Sequence, residues 1–218
     1  NDRTDYLIRN KGANPAEAII DVIHRLHAIG AKIIGIPCNT AHAPAIFNVI
    51  ETEIGTSHPD MIIVHMVKEV GYFLKENHPD VRSAGILCTL GAYKTRVYAE
   101  FLGAQGINIL HPEALDQQAI HDIIYNPDTG IKAAPTLLHP GTREQIERVT
   151  AGLKSAGAQA LILGCSEIPL LIKDNRLAGI PVIDPTRILA RALLKCRKNI
   201  SKESQDSSQA PVTDGRCP

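Results

Sequence analysis

Gly30-Ala31-Lys32-Ile33-Ile34-Gly35-Ile36-Pro37-Cys38-Asn39-Thr40-Ala41-His42 decides the fold, because its grammar returns in Gly157-Ala158-Gln159-Ala160-Leu161-Ile162-Leu163-Gly164-Cys165-Ser166-Glu167-Ile168-Pro169. In both, a helical pattern runs into Gly-Ala, a mostly apolar strand follows, and a cysteine arrives beside a small polar residue. The chain carries an internal repeat with a thiol at the same place in each copy.

The segments ahead of the two strands agree. Residues 15–26 put Ile19, Ile23 and Leu26 on one helical face, and residues 143–153 do the same with Ile146, Val149 and Leu153. Each pattern ends at a glycine, Gly30 or Gly157, suited to the left-handed position that closes a helix. Helix, tight turn and apolar strand, used twice, predict an α/β fold with parallel sheets.

In open sheets of this kind, ligands bind beyond the carboxyl ends of the strands, where Cys38 and Cys165 fall. A thiol at the start of a helix feels the positive end of the peptide dipoles, so both cysteines are expected to have lowered pKa values and thiolate character. A buried cysteine acting as a small hydrophobe is the competing reading for either one alone. Duplication of the thiol favours chemistry.

Composition narrows the partners. Across 218 residues, 23 Lys+Arg balance 23 Asp+Glu, so no basic field points to nucleic acid or to an anionic membrane, and a small-molecule ligand is expected. No apolar run reaches the roughly 20 residues of a membrane span. The five cysteines, Cys38, Cys88, Cys165, Cys196 and Cys217, are odd in number and contain no C-x-x-C pair, which fits a reducing cytoplasm. Cys38 and His42 supply two zinc ligands where sites need three or four, so no metal is expected.

Along the chain, residues 1–14 begin without an initiator methionine or a leading strand, as in a fragment or processed product. Asn39 or Thr40 is the expected cap of the helix after Cys38. A short strand over 61–66 and a helix over 67–75 follow, then a break at His78-Pro79-Asp80 where a second lobe starts. That lobe is expected to hold strands at 83–91 and 106–110, helices at 94–102 and 113–125, and the second repeat unit. Strand 180–185 leads to a helix capped by Thr186 that returns to the first lobe. The expected division is 1–79 completed by 185–197, then 80–184, with a disordered tail over 198–218.

Pro37-Cys38-Asn39-Thr40-Ala41-His42 and Leu163-Gly164-Cys165-Ser166-Glu167-Ile168-Pro169 together resemble the aspartate/glutamate racemase family, closest to its aspartate branch. The resemblance covers about residues 1 to 195, and Asp2-Arg3-Thr4, Leu87-Cys88-Thr89, Ile124-Tyr125, Lys132 and Ile183-Asp184 add to it. Ser166-Glu167 after the second cysteine, where glutamate racemases carry Thr-His, favours the aspartate or broader amino-acid branch. The resemblance implies two flavodoxin-like lobes related by a pseudo-twofold axis, a site in the cleft between them, cofactor-independent racemisation, and a homodimer.

Under that resemblance, one of Cys38 and Cys165 removes the Cα proton while the other donates to the opposite face, and the roles exchange with substrate handedness. Asn39, Thr40, Thr89 and Ser166 are donors for the substrate carboxylate and the developing carbanion. Arg3 and Lys132 bind carboxylate groups, and Glu167 orients the amino group or Cys165. His42, one turn after Cys38, either tunes that thiol or is an ordinary core histidine. The opening strand and Gly-rich turn usual in the family are missing, which leaves the first sheet an unpaired edge, and Ala92 stands where a threonine is usual. Two other readings stay open: a related hydantoin or malonate thiol racemase, isomerase or decarboxylase, and a catalytically silent amino-acid-binding homologue.

Overall fold

The computed structural model describes residues 3–133 and 139–203. Helix α1 (Arg3–Arg9) comes first, then α2 (Pro15–Ala28), strand β1 (Ile33–Gly35), a 3-10 turn (Asn39–His42), α3 (Pro44–Ser57), β2 (Ile62–Val64) and α4 (Met66–Asn77). After these run β3 (Ser83–Cys88), α5 (Leu90–Lys94), α6 (Val97–Gly103), β4 (Asn108–Leu110), α7 (Ala114–Tyr125) and α8 (Thr142–Ser155). Strand β5 (Ala160–Gly164), a second 3-10 turn (Ile168–Leu170), β6 (Arg176–Leu177), β7 (Ile180–Ile183) and α9 (Pro185–Glu203) complete it.

The repeat is reproduced bond for bond at its turns. After α2, Gly30 takes φ +95° and donates to the His27 carbonyl while Ala31 donates to Leu26; after α8, Gly157 takes φ +102° and donates to Lys154 while Ala158 donates to Leu153. Both are the paired closure that satisfies the last carbonyls of a helix, and it needs a residue tolerant of positive φ. The chain therefore enters β1 and β5 from equivalent directions.

Two parallel arrangements result. Strands β1 and β2 pair in parallel, while the larger sheet runs β4-β3-β5-β7-β6, parallel except for the β6–β7 hairpin. Counted along the chain, the parallel strands of the larger sheet lie in the order second, first, third, fourth, which is the flavodoxin-like order. Its order reverses between β3 and β5, where Cys88 is in register with Gly164. Thr89 and Cys165 directly follow the carboxyl ends of those two strands, the place where ligands bind in open sheets of this kind.

Burial follows from the layering. All five residues of β5 are buried, as are Ile146, Val149 and Leu153 of α8, which pack with Leu161, Leu163 and Ile180. On the other face Ile86 and Ile162 meet Val67, Val70 and Leu74 of α4 and Tyr98 and Leu102 of α6. Helix α9 returns across α4, β1 and β2, where Leu189 and Cys196 pack on Val64 and Met66. The α2 counterpart of the α8 face is less covered: Ile23 is buried, but Leu26 and Val22 are exposed. They border a groove that also includes Pro15, Ile19 and Gly35 of β1. Among the described residues β1 has a hydrogen-bonded strand partner on one side only.

Several local expectations are corrected. Helix α1, from Arg3, falls where the sequence predicts no element. Asn39 and Thr40 cap nothing; they lie inside the 3-10 turn, and α3 starts from Ala43 with Pro44, whose fixed φ suits a first helical position. The helix expected over 94–102 is two, α5 and α6, separated at Arg96 with φ +52°. The cap of α9 is Asp184, whose Oδ1 accepts from the Thr186 and Arg187 amides at 2.9 and 3.1 Å, with Pro185 as the first helical residue. Strand β6 had no sequence counterpart. The expected tail is helical through Glu203, and its residues 204–218 lie outside the described residues.

Candidate active site

The two cysteines occupy equivalent positions on different strand ends. Cys165 follows the last residue of β5 directly, and Cys38 lies three residues past β1, at the entry to the first 3-10 turn. Cys38 is half-buried and Cys165 is 6% exposed. Neither is in a disulfide.

Cys165 has a built environment. Its Sγ donates to Glu167 Oε2 at 2.8 Å, and the Ser166 hydroxyl donates to the same oxygen at 3.1 Å. Lys132 Nζ stands 3.9 Å from Glu167 Oε1 and donates to the Tyr125 hydroxyl at 2.9 Å. Half-burial works against the Lys132 ammonium, but Tyr125 and Glu167 outweigh it and its pKa is raised. The expected lowering of the thiol pKa is not found at Cys165. Burial first, and the Glu167 carboxylate second, push it well above the free value. The element that follows is a three-residue 3-10 turn, too short to supply a dipole that would offset desolvation. Cys165 at rest is a thiol, hydrogen-bonded to a proton acceptor.

On the other side, Thr40 and Asn39 are buried at 7% and 2%. The Tyr98 hydroxyl, from α6, donates to Asn39 Oδ1. Thr89 caps α5 by accepting from the Ala92 amide at 3.3 Å, so its oxygen is engaged in the fold as well as placed at the end of β3. Gly91 draws the two halves together: a Cβ there would lie 2.9 Å from Thr4 Oγ1 and 3.3 Å from the Thr40 methyl. Thr4 in turn stands in hydrogen-bond contact with the Tyr125 hydroxyl at 3.3 Å. A contact path thus runs from Cys165 through Glu167, Lys132, Tyr125 and Thr4 to the turn bearing Thr40.

Lys132, Ser166, Glu167 and Cys165 are brought into one cluster; Thr40 meets Thr4 at Gly91, Asn39 precedes Thr40 in the same turn, and Thr89 caps the helix that carries Gly91. Among the described residues, Arg3 makes no hydrogen bond or ion pair with that cluster. It lines the groove between α2 and β1 together with Pro37, the residue before Cys38. Tyr125 and Tyr98 contact the candidate residues Lys132 and Asn39 and are not among the candidates the sequence offers; Tyr125 is visible there only as part of Ile124-Tyr125, and Tyr98 gives no signal. Cys88 is fully buried with its pKa pushed up to about 12 by desolvation, and is inert packing between the sheet and α4. Among the described residues no group of three or more His, Cys, Asp or Glu side chains is placed to hold a metal ion. None of their helices is long and apolar enough to cross a membrane.

His42 resolves the choice left open by the sequence. The Met66 amide donates to its Nε2 at 3.2 Å, so Nδ1 carries the proton and donates to the Cys38 carbonyl at 2.9 Å. The ring is 1% exposed and ties the Cys38 turn to the start of α4. Burial lowers its pKa to about 4, with the bond to Cys38 opposing. Its neighbour His65, with ring centroids 4.7 Å apart, is lowered to about 2 by burial, then by His42 and Lys68. Because the unfolded imidazole takes its proton near 6.5, the unfolded state binds more protons below that value. Stability held above about pH 6.5 is therefore lost as pH falls toward 4, by about 3 kcal/mol for His42 alone. Urea unfolding at pH 7 and pH 4.5 should show a smaller loss in His42→Gln than in the parent; equal losses would contradict this account.

The arrangement defines a class first: an α/β protein with one cysteine past a strand end in each of two parallel sheets. The chain belongs to the Asp/Glu/hydantoin racemase family, whose model matches residues 2–193. It is 32% identical over 99 residues to an uncharacterised protein of Pectobacterium carotovorum, covering 45% of this chain and 61% of that protein. It is 27% identical over 178 residues to the broad specificity amino-acid racemase RacX of Bacillus subtilis, covering 81% and 69%. The Picrophilus torridus aspartate racemase structure superposes with a TM-score of 0.69 at 28% identity, over 89% of this chain and 74% of that one. The chain thus spans about three-fifths to three-quarters of the length of these relatives.

Proposed function

We propose that the protein is a cofactor-independent amino-acid racemase for a dicarboxylic substrate, aspartate before glutamate, in which Cys38 and Cys165 work on opposite faces of Cα. In this reading the two sheets are two lobes, 1–79 with 185–197 and 80–184, and the protein works as a cytoplasmic homodimer. The observation that carries the chemistry is the Cys165–Glu167 hydrogen bond of 2.8 Å with Lys132 beside it. A thiol that can pass its proton to a carboxylate and take it back is what a two-way acid and base requires.

For one enantiomer, Cys38 as thiolate removes the Cα proton and the Cys165 thiol donates to the opposite face. For the other, Cys38 has first taken up a proton from solvent and Cys165 has passed its own to Glu167 Oε2; Cys165 then removes the Cα proton as thiolate and the Cys38 thiol donates to the opposite face. Lys132 attracts a substrate carboxylate as a point charge, and Asn39, Thr40, Thr89 and Ser166 offer neutral donors around it. Arg3, if the second carboxylate reaches past Pro37, is the other cation. Family membership and the resemblance to an aspartate racemase and to a broad-specificity amino-acid racemase support the substrate class.

The test is incubation of the full chain with L-aspartate and with L-glutamate in deuterated water. Deuterium at Cα and the matching D-amino acid, read by NMR and chiral chromatography, are expected with aspartate first. No exchange at either amino acid would overturn the proposal.

A further inference from the structure

Tyr98 plays no part in the proposed proton transfers, yet it makes a buried hydrogen bond to a candidate site residue. It lies on α6, is 1% exposed, and packs among Cys88, Ala92, Ile162 and Ile183. A tyrosine buried this deeply needs a hydrogen-bond partner, and the one it takes is Asn39 Oδ1, 59 residues away in sequence. Asn39 itself is 2% exposed, and its Nδ2 has no hydrogen-bond partner.

That pairing orients the amide. A phenol has one proton to give, and Oδ1 takes it; were the amide turned over, its NH2 could donate to the phenol oxygen but the buried phenol proton would lose this acceptor, so the observed orientation is favoured. The NH2 is then held away from Tyr98, buried and unmatched, next to Cys38 in sequence. An unmatched buried donor is costly to keep, and it becomes an asset only when a ligand supplies the acceptor.

We propose that Tyr98 is a positioning residue: its hydroxyl locks the Asn39 amide so that the NH2 donates to a carboxylate oxygen of the substrate. The proposal rests on the racemase reading for the identity of that carboxylate. Burial, then Cys88, Asp184, Cys165 and Cys38, hold the Tyr98 pKa well above its ordinary value. The phenol therefore stays a neutral donor and does not compete as a third acid or base. The same influences place it within electrostatic reach of both candidate catalytic sulfurs.

Tyr98→Phe retains the ring and its packing and removes only the lock. With aspartate as substrate, KM is expected to rise about tenfold, one hydrogen bond's worth, while kcat stays within about threefold. In an Asn39→Ala background the same change should do nothing further, because the residue acts through that amide. An unchanged KM in Tyr98→Phe, or a full extra loss on top of Asn39→Ala, would overturn the proposal and leave the racemase reading standing. If the parent turns over neither amino acid, the racemase reading fails by itself. The side-chain NH2 resonances of Asn39, in 15N-labelled protein titrated with succinate, then decide: a shift in the parent that Tyr98→Phe loses supports the lock, and no shift or the same shift in both overturns it.

Discussion

Cys38→Ala and Cys165→Ala are each expected to lower racemisation by roughly 10³-fold or more, yet to leave Cα exchange of one enantiomer in place. The reason is geometric. Inversion needs a proton removed from one face and delivered to the other, so losing either sulfur stops it in both directions. Exchange with retention needs only one sulfur, which removes the proton and returns a deuteron from solvent to the same face. The two variants should therefore retain exchange with opposite enantiomers. Proton NMR of the Cα signal of L- and D-aspartate in deuterated water reads this directly. If both variants exchange the same enantiomer, or if one racemises at the parent's rate, the two-sided assignment of Cys38 and Cys165 fails.

Glu167→Gln should follow Cys165→Ala in pattern with a smaller loss, about 10²-fold in racemisation. A carboxamide oxygen still accepts the Cys165 hydrogen bond, but it cannot take the proton. Cys165, whose pKa is held high mainly by burial, then remains a thiol able to donate and unable to abstract. Exchange of the enantiomer that depends on Cys38 should persist, and exchange of the other should vanish. The residual racemisation should climb with pH, by about tenfold per unit, because below its raised pKa the Cys165 thiolate fraction grows with falling proton concentration. The parent, with Glu167 as an internal acceptor, should show a shallower rise. A Glu167→Gln variant with the parent's pH profile would show that the carboxylate does not relay the proton.

What the sequence made legible was whatever local chemistry dictates. The repeat could be read because Gly30 and Gly157 each meet the same backbone demand, and the structure closes both helices with the same two bonds. The apolar run of residues 160–164 announced a strand covered on both faces, and β5 is one. The errors came where neighbours in space overrule neighbours in sequence. Arg96 adopts positive φ between two short helices, which no propensity scale favours for arginine. The helix-dipole argument for Cys165 failed because desolvation and Glu167 act on the sulfur more strongly than a single 3-10 turn. Lys132 and Glu167 were named separately as site candidates; their meeting, and the contact between Tyr98 and Asn39, depend on the chain topology that brings distant segments together.

The uncovered strip beside β1 bears on handling the molecule. Val22 and Leu26 are 52% and 37% exposed there, in the groove lined by β1, which among the described residues pairs with a strand on one side only. Such a surface invites edge-to-edge sticking between molecules, and crowding worsens it as more chains share the same volume. Dilute preparations, or a mild solubilising additive that shields aliphatic surface, are therefore the conditions under which the chemistry of the site is best observed.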